Sequence, residues 1–172
     1  MLELILGGAR SGKSLLAETR ALESGLAVAY IATGEALDEE MAARIARHRQ
    51  RRPEHWRTLE APLRLAAALK AEAASDRCLI VDCLTLWLSN LLLAEGEAQE
   101  TAALLETLPG LPGRIILVSN EVGWGIVPAN ALARRFADEQ GRLNQRVAAL
   151  CGRVTLTAAG LPLELKPARN VR

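Results

Sequence analysis

The stretch Leu2-Glu3-Leu4-Ile5-Leu6-Gly7-Gly8-Ala9-Arg10-Ser11-Gly12-Lys13-Ser14 decides the fold. It reads as a short apolar strand entering a glycine-rich turn that fits G-x-x-x-x-G-K-[ST], with a helix predicted from Lys13 to about Glu23. The glycines let the loop from Gly7 through Gly8, Ala9, Arg10, Ser11 and Gly12 curl with its N–H groups inward. An anion there meets several donors and the positive end of a helix dipole together. Lys13 is expected to reach the β- and γ-phosphates of a nucleotide, and the Ser14 hydroxyl to ligate Mg²⁺. The other reading, a glycine turn that matches by coincidence, does not account for the strand before it and the helix after it.

Working outward, the same alternation of apolar strand and helix recurs. Ala27 to Ala32 reads as a strand, Asp38 to Arg52 as a helix stopped by Pro53, and Leu63 to Ala74 as another helix. Cys78-Leu79-Ile80-Val81 and Ile115-Ile116-Leu117-Val118 have the apolar continuity of buried strands. The longest helix is predicted over Ala129 to Leu150, where Leu132, Phe136, Leu143, Val147 and Leu150 recur at helical spacing. Val154 to Ala159 and Leu163 to Leu165, joined at Gly160-Leu161-Pro162, predict a C-terminal antiparallel hairpin. Glu95 to Pro112 reads as a peripheral connection without chemistry. The expected architecture is α/β: a P-loop NTPase-type three-layer fold with a mainly parallel sheet, one domain spanning residues 1–172. Asp82 ends an apolar strand, the place from which P-loop proteins hold a hydrated metal. Apolar strands often end in Asp for no such reason, and the loop at Gly7 tips the balance.

Composition excludes several classes. A net charge of +1 gives no global field to gather nucleic acid or an anionic membrane. The most apolar later segment, Leu84 to Leu93, is broken by Thr85, Ser89 and Asn90 and falls short of the ~20 residues of a membrane span. No export segment is read at the N-terminus, and three cysteines without metal spacing suit reduced thiols, so a cytoplasmic location is expected.

Arg44-Ile45-Ala46-Arg47-His48-Arg49-Gln50-Arg51-Arg52 places five arginines around one histidine with no intervening acid. Met41, Ile45 and His48 fall at i, i+4 and i+7, so the imidazole shares a side with apolar contacts. A solvated basic face is the plain reading of such a run. A triphosphate at Gly7, however, needs further cationic contacts, and guanidinium forks bind phosphate oxygens in pairs. Neighbouring positive charge also favours a neutral, nucleophilic imidazole. His55 is the reserve candidate.

These residues, with Tyr30-Ile31-Ala32-Thr33, Asp38-Glu39-Glu40-Met41-Ala42-Ala43-Arg44-Ile45, His48-Arg49, Arg52-Pro53, Trp56-Arg57-Thr58-Leu59-Glu60, Asn120-Glu121-Val122-Gly123 and Gly141-Arg142-Leu143-Asn144-Gln145, form a pattern covering nearly the whole chain. It resembles the bifunctional adenosylcobinamide kinase / adenosylcobinamide-phosphate guanylyltransferase family of cobalamin biosynthesis. The resemblance implies phosphorylation of the aminopropanol hydroxyl of adenosylcobinamide by ATP or GTP. Transfer of GMP from GTP through a guanylylated histidine, here His48, would follow. Some members carry two adjacent histidines, and Arg47 stands at the neighbouring position here. The resemblance also places Ala32, Thr33, Gly34, Arg49, Gln50, Arg51, Arg52, Glu60 and Asp82 near the nucleotide, and implies a homo-oligomer, possibly a trimer. Glu60 can accept the N1–H and exocyclic amino hydrogens of guanine, though a surface acid is its plainer reading.

Glu121 lies just past a strand end, where open α/β sheets bind ligands, and is the candidate substrate-side residue and kinase base. A purely structural turn is the alternative there. Asn144 and Gln145 have no role derivable from the sequence. Two rivals remain open: a P-loop small-molecule kinase or NTPase without a covalent intermediate, and a noncatalytic nucleotide-binding subunit.

Overall fold

In a strand successive side chains face opposite sides, and in β1 (Leu2–Gly7) every residue from Glu3 onward is buried. Such a strand requires cover on both sides. A computed structural model describes residues 1–36, 38–50 and 52–167, and for Arg44 and His48 it describes the backbone only. After β1 come α1 (Lys13–Leu22), β2 (Ala27–Ala32), α2 (Glu39–Gln50), β3 (Arg57–Glu60), α3 (Leu65–Glu72), β4 (Arg77–Asp82), α4 (Leu84–Leu93), α5 (Glu97–Thr107) and a 3₁₀ turn at Leu108–Gly110. The chain continues through β5 (Arg114–Val118), α6 (Ala131–Leu150), β6 (Arg153–Ala158) and β7 (Leu161–Lys166).

The strands form one sheet in the order β3-β2-β4-β5-β1-β6-β7. All neighbours are parallel except β6 and β7, the antiparallel hairpin expected from the sequence. Leu4, Leu6, Leu79, Val81, Ile115 and Leu117 point to one face, where they pack with Leu65, Trp87, Leu91, Leu104, Leu143 and Val147 of α3 to α6. Their neighbours Ile5, Ile80, Ile116 and Val118 point to the other, against Ala17 and Ala21 of α1 and Trp56. The three layers follow from the period of two: each central strand supplies both cores, and burying each large apolar side chain contributes roughly 1.5–3 kcal/mol. Among the described residues no helix is long and apolar enough to cross a membrane.

A fully buried carboxylate lies inside this apolar frame. Glu3 is fully buried on β1, and its carboxylate accepts from Arg20 at the last turn of α1 and from Arg114 of β5 at 3.0 Å. Arg20 also donates to Thr155 Oγ1 at 2.7 Å and Glu164 Oε1 at 2.6 Å, and Arg153 holds Glu164 at 2.9 Å. A buried carboxylate is tolerated only when paired and hydrogen-bonded in this way. The network ties α1, β1, β5, β6 and β7 together at the end of the sheet remote from Gly7.

The bond from Arg153, then those from Arg20 and Thr155, hold Glu164 well below its ordinary value of 4.5, down to about 2. A carboxyl whose folded pKa is depressed contributes stability above its unfolded pKa, and that contribution is lost as pH falls through the folded value. Glu164→Gln is therefore expected to lower stability near neutrality and to flatten the acid limb between about 4.5 and 2. Urea unfolding midpoints across that pH range check it, and an unchanged slope contradicts it.

Candidate active site

The parallel register brings the strand ends level. Ala32 pairs with Asp82, Asp82 with Val118, Ile5 with Val118 and Gly7 with Thr157, so the turns after β1, β2, β4 and β5 leave from one edge. Open α/β sheets bind ligands at this carboxyl edge.

The loop from Gly7 to Ser14 is seated against the β6–β7 turn. A Cβ on Gly7 would lie 2.3 Å from the Thr157 carbonyl oxygen, and one on Gly12, at φ +98°, 3.2 Å from Gly160 Cα. Gly160 N–H donates to the Ser11 carbonyl at 2.9 Å, which closes the contact. Gly8 has open space where its Cβ would stand, Ala9 is exposed, and Arg10 takes a left-handed φ of 56°. Lys13 crosses the loop, its Nζ donating to the Gly8 carbonyl at 2.6 Å. At Gly12, the N-cap of α1, no side chain caps the helix, and no acid lies in its first turn. A helix start of this kind, uncapped by any side chain, is suited to an anion. Ser11 Oγ is buried there with no hydrogen-bond partner among the described residues.

Asp82 ends β4 before a cis peptide to Cys83. Its Oδ2 accepts from Ser14 Oγ at 3.0 Å and from Tyr30 Oη at 2.5 Å. Burial first, and then the Asp82 carboxylate, push the Tyr30 phenol well above its ordinary range, so it stays protonated and donates. The guanidinium of Arg52 lies 3.3 Å from the centroid of the Tyr30 ring. Its Nε and Nη1 are buried with no hydrogen-bond partner among the described residues, two desolvated donors whose burial is unfavourable until an acceptor arrives.

Lys13, Ser14, Asp82, Ala32, Gly34, Arg49 and Arg52 line one cavity of ≈ 130 Å³ together with Tyr30, Met41, Ile45, Cys83, Leu86 and Asn120. Burial pushes the Cys83 thiol up to about 11, leaving it an inert wall. Met41, Ile45 and Arg49, four residues apart, form the α2 stripe that faces this space. Position 48 stands on the same helix, one turn past Ile45. The side chain of His48 and the whole of Arg51 lie outside the described residues.

The remaining expected residues are placed differently. Thr33 is fully buried and braces the turn after β2, its Oγ1 donating to the Cys83 carbonyl at 2.7 Å and accepting from Cys83 N–H at 2.9 Å. Glu60 ends β3 beside Ala32 and forms an exposed ion pair with Arg49, a contact worth little in water. Gln50 and His55 are exposed and do not line the cavity. Glu121 N–H donates to the Gly7 carbonyl at 3.2 Å, and its Oε1 accepts from Asn144 Nδ2 at 3.2 Å.

Sequence reasoning passed over Tyr30 and the polar stripe of α6. Gln140 and Asn144 are buried four residues apart on the face that carries Val147. Asn144 Nδ2 also donates to the Asn120 carbonyl at 3.1 Å, while its Oδ1 accepts from Ser119 Oγ at 2.7 Å and Gln140 Nε2 at 3.0 Å. Thr85 Oγ1 accepts from Asn120 N–H at 2.8 Å. These bonds converge on Ser119-Asn120-Glu121, fixing the turn beside the phosphate loop. A signal existed: two amides at helical spacing on an apolar stripe, and the one tyrosine of the chain inside a buried strand.

Comparison with known proteins agrees with this architecture. The RadB recombinase superposes with TM-score 0.52 at 20% identity, over 90% of this chain and 73% of its own. At such identity the likeness shows the fold alone. The bifunctional adenosylcobalamin biosynthesis protein CobP of Pseudomonas aeruginosa is 64% identical over 169 residues, 96% of this chain and 98% of that protein. CobU of Salmonella typhimurium, of the same description, is 42% identical over 182 residues, 96% of this chain and all of its own. The family model described as cobinamide kinase / cobinamide phosphate guanyltransferase matches residues 3–165. On both counts, the chain belongs to the cobinamide kinase / cobinamide phosphate guanyltransferase family.

Proposed function

We propose that this protein phosphorylates the aminopropanol hydroxyl of adenosylcobinamide with ATP or GTP. It then transfers GMP from GTP to the new phosphate through a guanylylated His48, giving adenosylcobinamide-GDP. One observation carries the reading: Lys13 and Ser14, which end the anion cradle, and Arg49 of α2 line the same cavity.

In the first step the acceptor hydroxyl attacks the γ-phosphorus and the nucleoside diphosphate leaves. Positioning and charge stabilisation do most of the work in such a transfer. Lys13 and the loop amides hold the phosphates, and Glu121, fixed by Asn144, takes the hydroxyl proton. In the second step neutral His48 attacks the α-phosphorus of GTP, forming an N–P bond as the bond to pyrophosphate breaks. The cobinamide phosphate oxygen then displaces GMP and frees the imidazole. Arg49 and Arg52 offer guanidinium donors along the polyphosphate, and Glu60 accepts from the guanine edge.

The oxygen donors Ser14 and Asp82 suit Mg²⁺, which keeps several waters and takes few protein ligands. Among the described residues no three His, Cys, Asp or Glu cluster as a metal cage, so phosphate oxygens and water would complete the shell. When bound, the ion neutralises charge on the phosphates. We further propose a cytoplasmic protein, in keeping with three free, buried cysteines. A homo-oligomer fits the exposed edge strand β7, whose Leu161, Leu163 and Leu165 form an apolar stripe open to a second copy.

Incubation with GTP followed by mass spectrometry is expected to find one GMP adduct, at His48. In His48→Ala the adduct is absent while nucleotide binding persists, and full GMP transfer by that variant overturns the intermediate. Phosphorylated cobinamide without any adduct would leave a plain kinase. Glu121→Gln is expected to slow the kinase step roughly 100-fold and leave adduct formation intact. Asp82→Asn is expected to slow both steps by on the order of a hundredfold and to weaken their Mg²⁺ dependence, read from rates across a magnesium titration.

A further inference from the structure

The turn after β5 continues into a segment that the nucleotide chemistry does not use. Its root is fixed to the phosphate loop by Glu121 N–H on the Gly7 carbonyl. Its far end is fixed to α6, where Arg134 Nη1 donates to the Pro128 and Ala129 carbonyls at 2.9 and 2.6 Å and Asn130 caps the helix. Between these anchors Trp124, Ile126 and Val127 are 70%, 97% and 76% exposed, and Val122 and Leu132 flank them, also exposed. Among the described residues, nothing lies within 4 Å of where a side chain at Gly123 or Gly125 would stand. An apolar cluster left in water while its backbone is held at both ends marks a binding surface.

The acceptor supplies the occupant, and this step rests on the function proposed above. A corrinoid presents a broad macrocycle with apolar faces and carries its reactive hydroxyl at the tip of a side arm. Drug-sized ligands fill pockets of roughly 300–1,000 Å³, so the macrocycle cannot enter a cavity of ≈ 130 Å³ and must rest at its rim. The cavity wall includes Asn120, from which this segment departs. We propose that residues 122–127, centred on Trp124, are the platform on which the corrin face of cobinamide packs, leaving the arm to reach Glu121 and the phosphate loop. Indole suits this use, with a large apolar area and little side-chain entropy to lose.

Trp56 and Trp87 are buried, so iodide quenching of tryptophan fluorescence in the full chain reports Trp124. Cobinamide is expected to shield that fluorescence from iodide. Trp124→Ala is expected to raise the KM for cobinamide on the order of tenfold with kcat within about twofold, and Trp124→Phe to restore most of it. GMP adduct formation from GTP alone, and the mass by light scattering, stay unchanged. No shielding together with an unchanged KM overturns the platform. So does a fall in mass in Trp124→Ala, which would assign the surface to contact between copies. Shielding by cobinamide without any phosphate or GMP transfer would leave the platform standing and remove the proposed function instead.

Discussion

The structure depends on a steric exclusion: the Thr157 carbonyl oxygen occupies the place where any side chain at residue 7 would put its Cβ. Because that space is filled by backbone, the first strand can turn sharply at its end and lay the following loop against the β6–β7 hairpin. The first residues of α1, Lys13 and Ser14, then stand on the cavity wall. The C-terminal hairpin is thus the seat of the phosphate cradle, although it contributes no lining residue of its own to the cavity.

A second constraint is electrostatic. One oxygen of Asp82 accepts from both Ser14 and Tyr30, and the Tyr30 ring in turn carries Arg52. A single carboxylate atom therefore joins the phosphate loop to the second strand, and through the Tyr30 ring to Arg52 just past α2. On the opposite wall, Asn144 joins α6 to Asn120 and Glu121 by its amide group alone. Buried polar groups of this kind specify geometry because each bond left unmade is penalised by desolvation.

Most of the fold was legible in the sequence because its signals are local. The apolar run Cys78 to Val81, the periodic stripe Leu143 and Val147, and the turn at Gly160 each report their own element. Strand β3 left only a weak signal, a short run before Glu60, because it is mostly exposed, with only Leu59 half-buried among its four residues. Strand order was equally hidden, since it depends on which strands pair across long separations. In the site, the loop from Gly7 to Ser14 could be read because its chemistry is contiguous. The bond between Tyr30 and Asp82 could not be read in advance, since it depends on the register of β2 and β4. The bracing role of Thr33 was likewise invisible, because its partner Cys83 is 50 residues away.

Glu3 and Arg20 have a consequence at the opposite end of the molecule. The helix that begins at the phosphate cradle is ten residues long, roughly 15 Å, and its last turn is bolted to a fully buried carboxylate on the central strand. Sliding or tilting that helix would strip a partner from a charge with no access to water. The cradle is consequently an anvil, anchored from behind, against which the reacting groups are brought.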